Sequence, residues 1–132
     1  MSSTGTLHRT KLLFHPQAYL FVSEALRVAQ DELGRGLLAE DSEESCHISG
    51  PELLNGVRVL GLKQFGMMAP VVFRFWGIHK TDDFGRLVFE LIERGQMRKT
   101  DRDHLSDFFD VYDFETAFQA NYKVDTRKAL GN

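Results

Sequence analysis

The sequence predicts a mainly α fold with one small β-hairpin, an α+β chain. Three observations predict it. Apolar residues recur at helical spacing in four stretches between residues 16 and 94. Most of these stretches open on a proline or a capping residue, and glycine follows each of them. Beyond Gly95 the helical period gives way to β-prone Phe108, Phe109, Val111, Tyr112 and Phe114, interleaved with Asp107, Asp110 and Asp113. Helix, short helix, helix and hairpin is the order of a winged helix. Residues 49–114 are therefore expected to form a winged-helix-like core preceded by an N-terminal helix.

Residues 1–15 read as a leader, mobile over 1–10 and tied down near Leu12, Leu13 and Phe14. Pro16 opens the first helix, because the first helical position needs no donor. Ala18, Phe21, Val22, Ala25, Val28, Ala29 and Leu33 form its inner face, and Gly34 and Gly36 end it. Residues 40–45 carry four acids and no apolar side chain, the composition of a solvated loop. Ser49 and Glu52 then stand at the spacing of a capping box, with Ile48 and Leu53 placed for a hydrophobic staple. Leu53, Leu54, Val57, Leu60 and Phe65 make the buried stripe of this second helix, and Gly66 stops it. Gly56 and Gly61 inside it each cost about 1 kcal/mol against alanine, which points to the close approach of a neighbouring helix.

The third helix opens near Pro70 and closes at Gly77. Val71, Val72, Phe73, Phe75 and Trp76 leave only Arg74 polar, so it is expected to be buried almost all round. Phe75 and Trp76 nevertheless cannot face the same way, and a chain with two apolar faces either buries both or leaves a patch for a partner. Thr81 is expected to cap the fourth helix, with Asp82 and Asp83 in its first turn. Phe84, Leu87, Val88, Leu91 and Ile92 face inward, while Arg86, Glu90 and Arg94 lie four apart on the outside. Residues 96–114 are expected to be the hairpin, Asp113 caps a last short helix through Phe118 and Tyr122, and residues 123–132 are a polar tail.

A chain of 132 residues and 15.1 kDa, 42% hydrophobic and 27% charged, has the length and composition of one globular domain. Eleven Phe against three Pro point to an aromatic-rich core. The single cysteine, Cys46, excludes an intrachain disulfide, and no secretory signal or run of membrane-spanning length is evident. The expected location is cytoplasmic.

The formal charge of −3 gives no bulk attraction to nucleic acid. In the recognition-helix position, residues 81–94 carry four acids against two arginines, and residues 101–115 carry six acids against one. That is the wrong sign for a helix and wing lying among phosphates. The basic residues Arg86, Arg94, Arg98, Lys99 and Arg102 are the candidates for a phosphate or an acidic partner. Phe89 falls opposite the Phe84/Val88/Leu91 stripe and is the apolar candidate for partner binding. No catalytic constellation is apparent and no cofactor is expected. Cys46 beside His47 follows an acidic run that disfavours a thiolate. Asp101, Asp103, His104 and Asp107 lack the glycine and terminal glutamate of a calcium loop.

The segments 14–19, 48–56, 76–78 and 81–89, with Asp110, Val111, Tyr112, Asp113 and Phe114, resemble a family of short bacterial proteins named only after the locus of one member. The similarity runs from about Lys11 to Phe118. It implies a bacterial cytosolic protein and carries no activity, ligand or catalytic residue. The expected function is a non-enzymatic binding or adaptor module that recognises a protein partner or self-associates. A winged-helix nucleic-acid-binding regulator is the alternative, and no membrane association is expected.

Overall fold

Five helices and two 3-10 turns follow from these local signals, in a computed structural model that describes residues 11–34, 47–98 and 103–119. The leader 1–10, the acidic loop with Cys46, residues 99–102 and the chain from residue 120 onward lie outside the described residues. Helix α1, Pro16–Glu32, starts on the proline and is capped by His15, whose Nδ1 accepts from the Gln17 amide at 3.1 Å. It ends where Gly34 turns to a φ of +69°. Helix α2, Gly50–Phe65, starts on a complete capping box. Ser49 Oγ accepts from the Glu52 amide at 3.2 Å, and Glu52 Oε1 accepts from the Ser49 amide at 2.9 Å.

A short 3-10 turn, Gly66–Met68, leads into α3, Ala69–Phe75, and the chain turns again at Gly77. Helix α4 is Thr81–Glu93, followed by a second 3-10 turn, Leu105–Phe108, and the four-residue α5, Phe114–Ala117. Helices α1 and α2 pack along each other, and a glycine sets how closely. A Cβ on Gly56 would stand 2.6 Å from the Ala25 carbonyl oxygen and 3.1 Å from the Ala29 Cβ. Gly61 makes room instead for the rings of Phe118 and Phe73. The Phe73 ring is the hub of the core. It lies 5.2–5.8 Å from Phe21 of α1, Trp76, Phe84 of α4, and Phe114 and Phe118 at the C-terminal end.

The expected hairpin over residues 96–114 does not form: the described part of that segment is turns and helix, with no strand. The winged-helix arrangement falls with it. The backbone of this segment is instead satisfied by side chains of α4. Thr81 Oγ1 donates to the Phe108 carbonyl at 2.7 Å and accepts from the Val111 amide at 3.1 Å. Asp82 Oδ1 accepts from the Asp110 amide at 3.1 Å. Asp110 itself sits at φ +53°, a left-handed conformation that aspartate tolerates better than most residues. Phe108 fills the space over two glycines, because a Cβ on Gly85 would meet its side chain at 2.7 Å and one on Gly50 would meet it at 3.1 Å.

Three other expectations are corrected. Thr81 is the first helical residue, not the cap, and its hydroxyl is committed to the segment at 108–111. Helix α3 buries only one side: Phe73 and Trp76 turn inward, whereas Val71 and Phe75 are exposed. Glu90 is buried, at 3% exposure, and Arg86 pairs with Asp83 at 2.8 Å. The Asp113 cap stands as expected, accepting from the Thr116 amide at 3.1 Å.

Two substitutions test this packing. Gly56→Ala is expected to lower the free energy of unfolding by about 1–3 kcal/mol through overpacking, although alanine is the better helix former. Urea denaturation reads the loss, and unchanged stability would show that α1 and α2 separate without strain. Thr81→Val, nearly isosteric, strips the 108–111 backbone of a buried donor and acceptor. A loss of about 1–3 kcal/mol is expected in the same assay.

Candidate functional site

Polar side chains gather where the leader crosses α1 and α4. Glu90 Oε1 accepts from the Tyr19 hydroxyl at 2.5 Å. Glu90 Oε2 accepts from Arg94 Nε at 3.1 Å, from Arg94 Nη2 at 3.0 Å, and from the Leu13 amide at 3.4 Å. The Tyr19 oxygen accepts in turn from the Phe14 amide at 3.1 Å, and Arg94 Nη2 donates to the Lys11 carbonyl at 3.3 Å. One residue on, the His15 amide donates to the Trp76 carbonyl at 3.1 Å. The carboxylate is thus charge-paired and hydrogen-bonded on both oxygens, the condition under which a buried charge is tolerated. Burial, and then the bond to Glu90, push the Tyr19 phenol up from 10.0 to about 12. With the Glu90 side chain only 1% exposed and bonded to Tyr19, Arg94 and the Leu13 amide, this cluster is a clasp that holds residues 11–15.

The outward-facing chemistry is apolar. Met67, Met68, Val71 and Phe75 are all exposed, Phe75 at 76%, and 67, 71 and 75 recur four residues apart. The stripe continues from the 3-10 turn onto α3, on the side away from Phe73. The His15 ring lies 5.4 Å from the Phe75 ring, so the clasped leader borders the stripe at one end. Next to Phe75 in the chain, Arg74 forms an ion pair: its Nη1 lies 3.1 Å from Glu115 Oε2 of α5, and the two side chains remain 48% and 69% exposed.

The candidates named from the sequence are scattered by the fold. Phe89 is half-buried and packs against the core. Arg86 and Arg94 are spent on Asp83 and Glu90. Arg98 is exposed, and Lys99 and Arg102 lie outside the described residues. No basic surface is assembled from the described members of that set. His47 Nε2 lies 3.1 Å from Asp103 Oδ1, tying the entry of α2 to the start of the second 3-10 turn. A shallow groove of about 280 Å³ between the end of α1 and the start of α2 is lined by Ala29, Glu32, Leu33, Pro51, Glu52 and Asn55. No three His, Cys, Asp or Glu side chains among the described residues are placed to hold a metal ion, and none of the described helices is long and apolar enough to cross a membrane.

Sequence reasoning missed the clasp, because Tyr19 and Glu90 are 71 residues apart. The available signal was the position of Glu90, three residues after Leu87 and so at the border of the apolar stripe. The exposed face had a plainer signal in the adjacent Phe75 and Trp76. Comparison with protein-family models, with curated proteins and with solved structures gives no match.

The clasp predicts an alkaline transition. The folded chain holds the Tyr19 proton more tightly than the unfolded chain, so its contribution to stability is fully present below about pH 10 and is lost as pH rises towards about 12. Tyr19→Phe is expected to remove that step from the pH dependence of unfolding. Glu90→Gln is expected to cost about 2–4 kcal/mol and to speed amide exchange at Leu13 and Phe14. Unchanged exchange there would show that the leader is held by something else.

Proposed function

We propose that this protein is a non-enzymatic protein-recognition module whose contact surface is the Met67/Met68/Val71/Phe75 face. The observation that carries this is the orientation of α3. Trp76, which caps it, is buried, while the neighbouring Phe75 projects into solvent at the end of an apolar stripe. Isolated exposed apolar residues are ordinary on protein surfaces, but a contiguous patch holding an aromatic ring marks an interaction site. Aromatic residues and methionine are enriched at the centres of protein interfaces. Methionine adds a flexible, polarizable side chain that adapts to the shape of what it meets. The exposed, charged Arg74 beside Phe75 in the chain, with its partner Glu115, suits a polar rim.

The reading is tested by comparing wild type with Phe75→Glu as bait in lysate of the source organism. The variant is expected to lose any near-stoichiometric protein bound by wild type, copies of itself included. Its melting temperature is expected to stay within about 2 °C of wild type, because the replaced side chain contributes little to the core. Phe89→Ser, by contrast, is expected to lower stability, since that ring packs against the core. Retention of the same partner by Phe75→Glu would overturn the assignment of this face.

A further inference from the structure

We propose that His15 is a pH-sensitive joint between the clasped leader, residues 11–15, and α1, which it caps only while its imidazole is neutral. The geometry of the cap carries this. Nδ1 accepts from the Gln17 amide at 3.1 Å, and an imidazole nitrogen accepts only through a free lone pair. Taking up a proton turns Nδ1 into a donor, so the cap and the imidazolium exclude each other. Histidine is the side chain that ordinarily changes charge between about pH 5 and 8. Serine, threonine, asparagine and aspartate, the common caps, keep their charge state across that range.

Nothing else at this end of α1 shares the task. Pro16 has no N–H, which makes the Gln17 amide the first donor of the helix. The first turn holds no acidic side chain, so a positive charge on His15 meets the helix dipole uncompensated. The charged groups of the neighbouring elements are engaged elsewhere. Glu90 of α4 bonds Tyr19, Arg94 and the Leu13 amide, Arg74 of α3 pairs with Glu115, and the Lys11 side chain is exposed. Among the described residues no carboxylate forms an ion pair with His15. What the imidazolium does have is Phe75. The two rings lie 5.4 Å apart, inside the roughly 6 Å over which a cation is drawn to an aromatic face. Each charge state of His15 therefore has its own partner, the Gln17 amide when neutral and the Phe75 ring when protonated.

The change reaches beyond the cap because the same residue joins three elements. Its amide donates to the Trp76 carbonyl at 3.1 Å, and its carbonyl accepts from the Ala18 amide at 2.9 Å. Acid thus loosens the first turn of α1 and, through His15, the hold of the leader on the end of α3. The device does not depend on what the α3 face meets.

Amide exchange of the full chain, followed by NMR from about pH 8 to pH 5 and corrected for intrinsic rates, tests the proposal. Protection at Gln17 and Ala18 is expected to fall about two- to thirtyfold on acidification, the ratio that matches the loss of a helix cap. His15→Asn keeps a side-chain acceptor that does not titrate, and is expected to hold its protection across the series. That variant also separates His15 from the other histidines of the chain. Phe75→Leu removes the partner of the protonated ring and is expected to move the midpoint of the change to lower pH. Wild-type protection that is the same at pH 5 and pH 8 overturns the joint, and so does a fall that persists in His15→Asn. A midpoint that Phe75→Leu leaves in place overturns the role given to the Phe75 ring.

Discussion

The ring of Phe73 is the point at which the elements of this fold meet. It touches side chains of α1, α4 and α5, and it lies against Gly61 of α2, where a Cβ would come within 3.3 Å of its tip. Each tilted or edge-on ring contact adds about 0.5–1.5 kcal/mol beyond the area it buries, so this residue fixes the rotation of α3 about its own axis. That rotation has an unavoidable counterpart. A helix of seven residues in which only Arg74 is polar can still turn only one side inward. Once Phe73 and Trp76 are in the core, Val71 and Phe75 must face solvent. The candidate interaction surface is thus the other side of the packing choice that builds the core.

The elements legible in the sequence are those whose signals are local. The Ser49–Glu52 box, Pro16 at a helix start, and the glycines that end α1, α2 and α3 act within three or four residues of themselves, and each is where its spacing placed it. Gly56 was legible for a related reason. Its propensity cost inside a helix needs a compensating contact, and the Ala25 carbonyl supplies one. Glu90 was not legible, because a glutamate four residues from two arginines reads as a solvated pair. What buries it is a phenol from another helix and an amide from a leader at the far end of the chain.

The segment after residue 103 failed for a different reason. Its apolar residues alternate with aspartates closely enough to imitate a strand, but Asp107, Asp110 and Asp113 are spaced by three, the interval of a turn and not of a pleat. Asp107 accepts from the amide of His104 and Asp113 from that of Thr116, each three residues away, and Asp110 takes the left-handed conformation between them. Short side chains bonding nearby backbone offer it an alternative to a ladder. Thr81 and Asp82 supply most of the remaining partners from α4. A strand was unnecessary.

Phe108 has a consequence for how this sequence can change. Its ring occupies the volume that side chains on both Gly50 and Gly85 would need, so the three positions share one space. A Cβ on Gly85 would also meet the Phe108 Cβ at 2.7 Å, and one on Gly50 would also meet the Asp107 Cβ at 3.1 Å, so shortening the ring alone frees neither position and the backbone of the 3-10 turn would have to move as well. Substitutions at these sites are therefore not independent, since side chains in direct contact couple by about 0.5–3 kcal/mol. Routes away from the present trio begin with a damaging step, which ties residues 50, 85 and 108 into a single unit of variation although they lie in three separate elements.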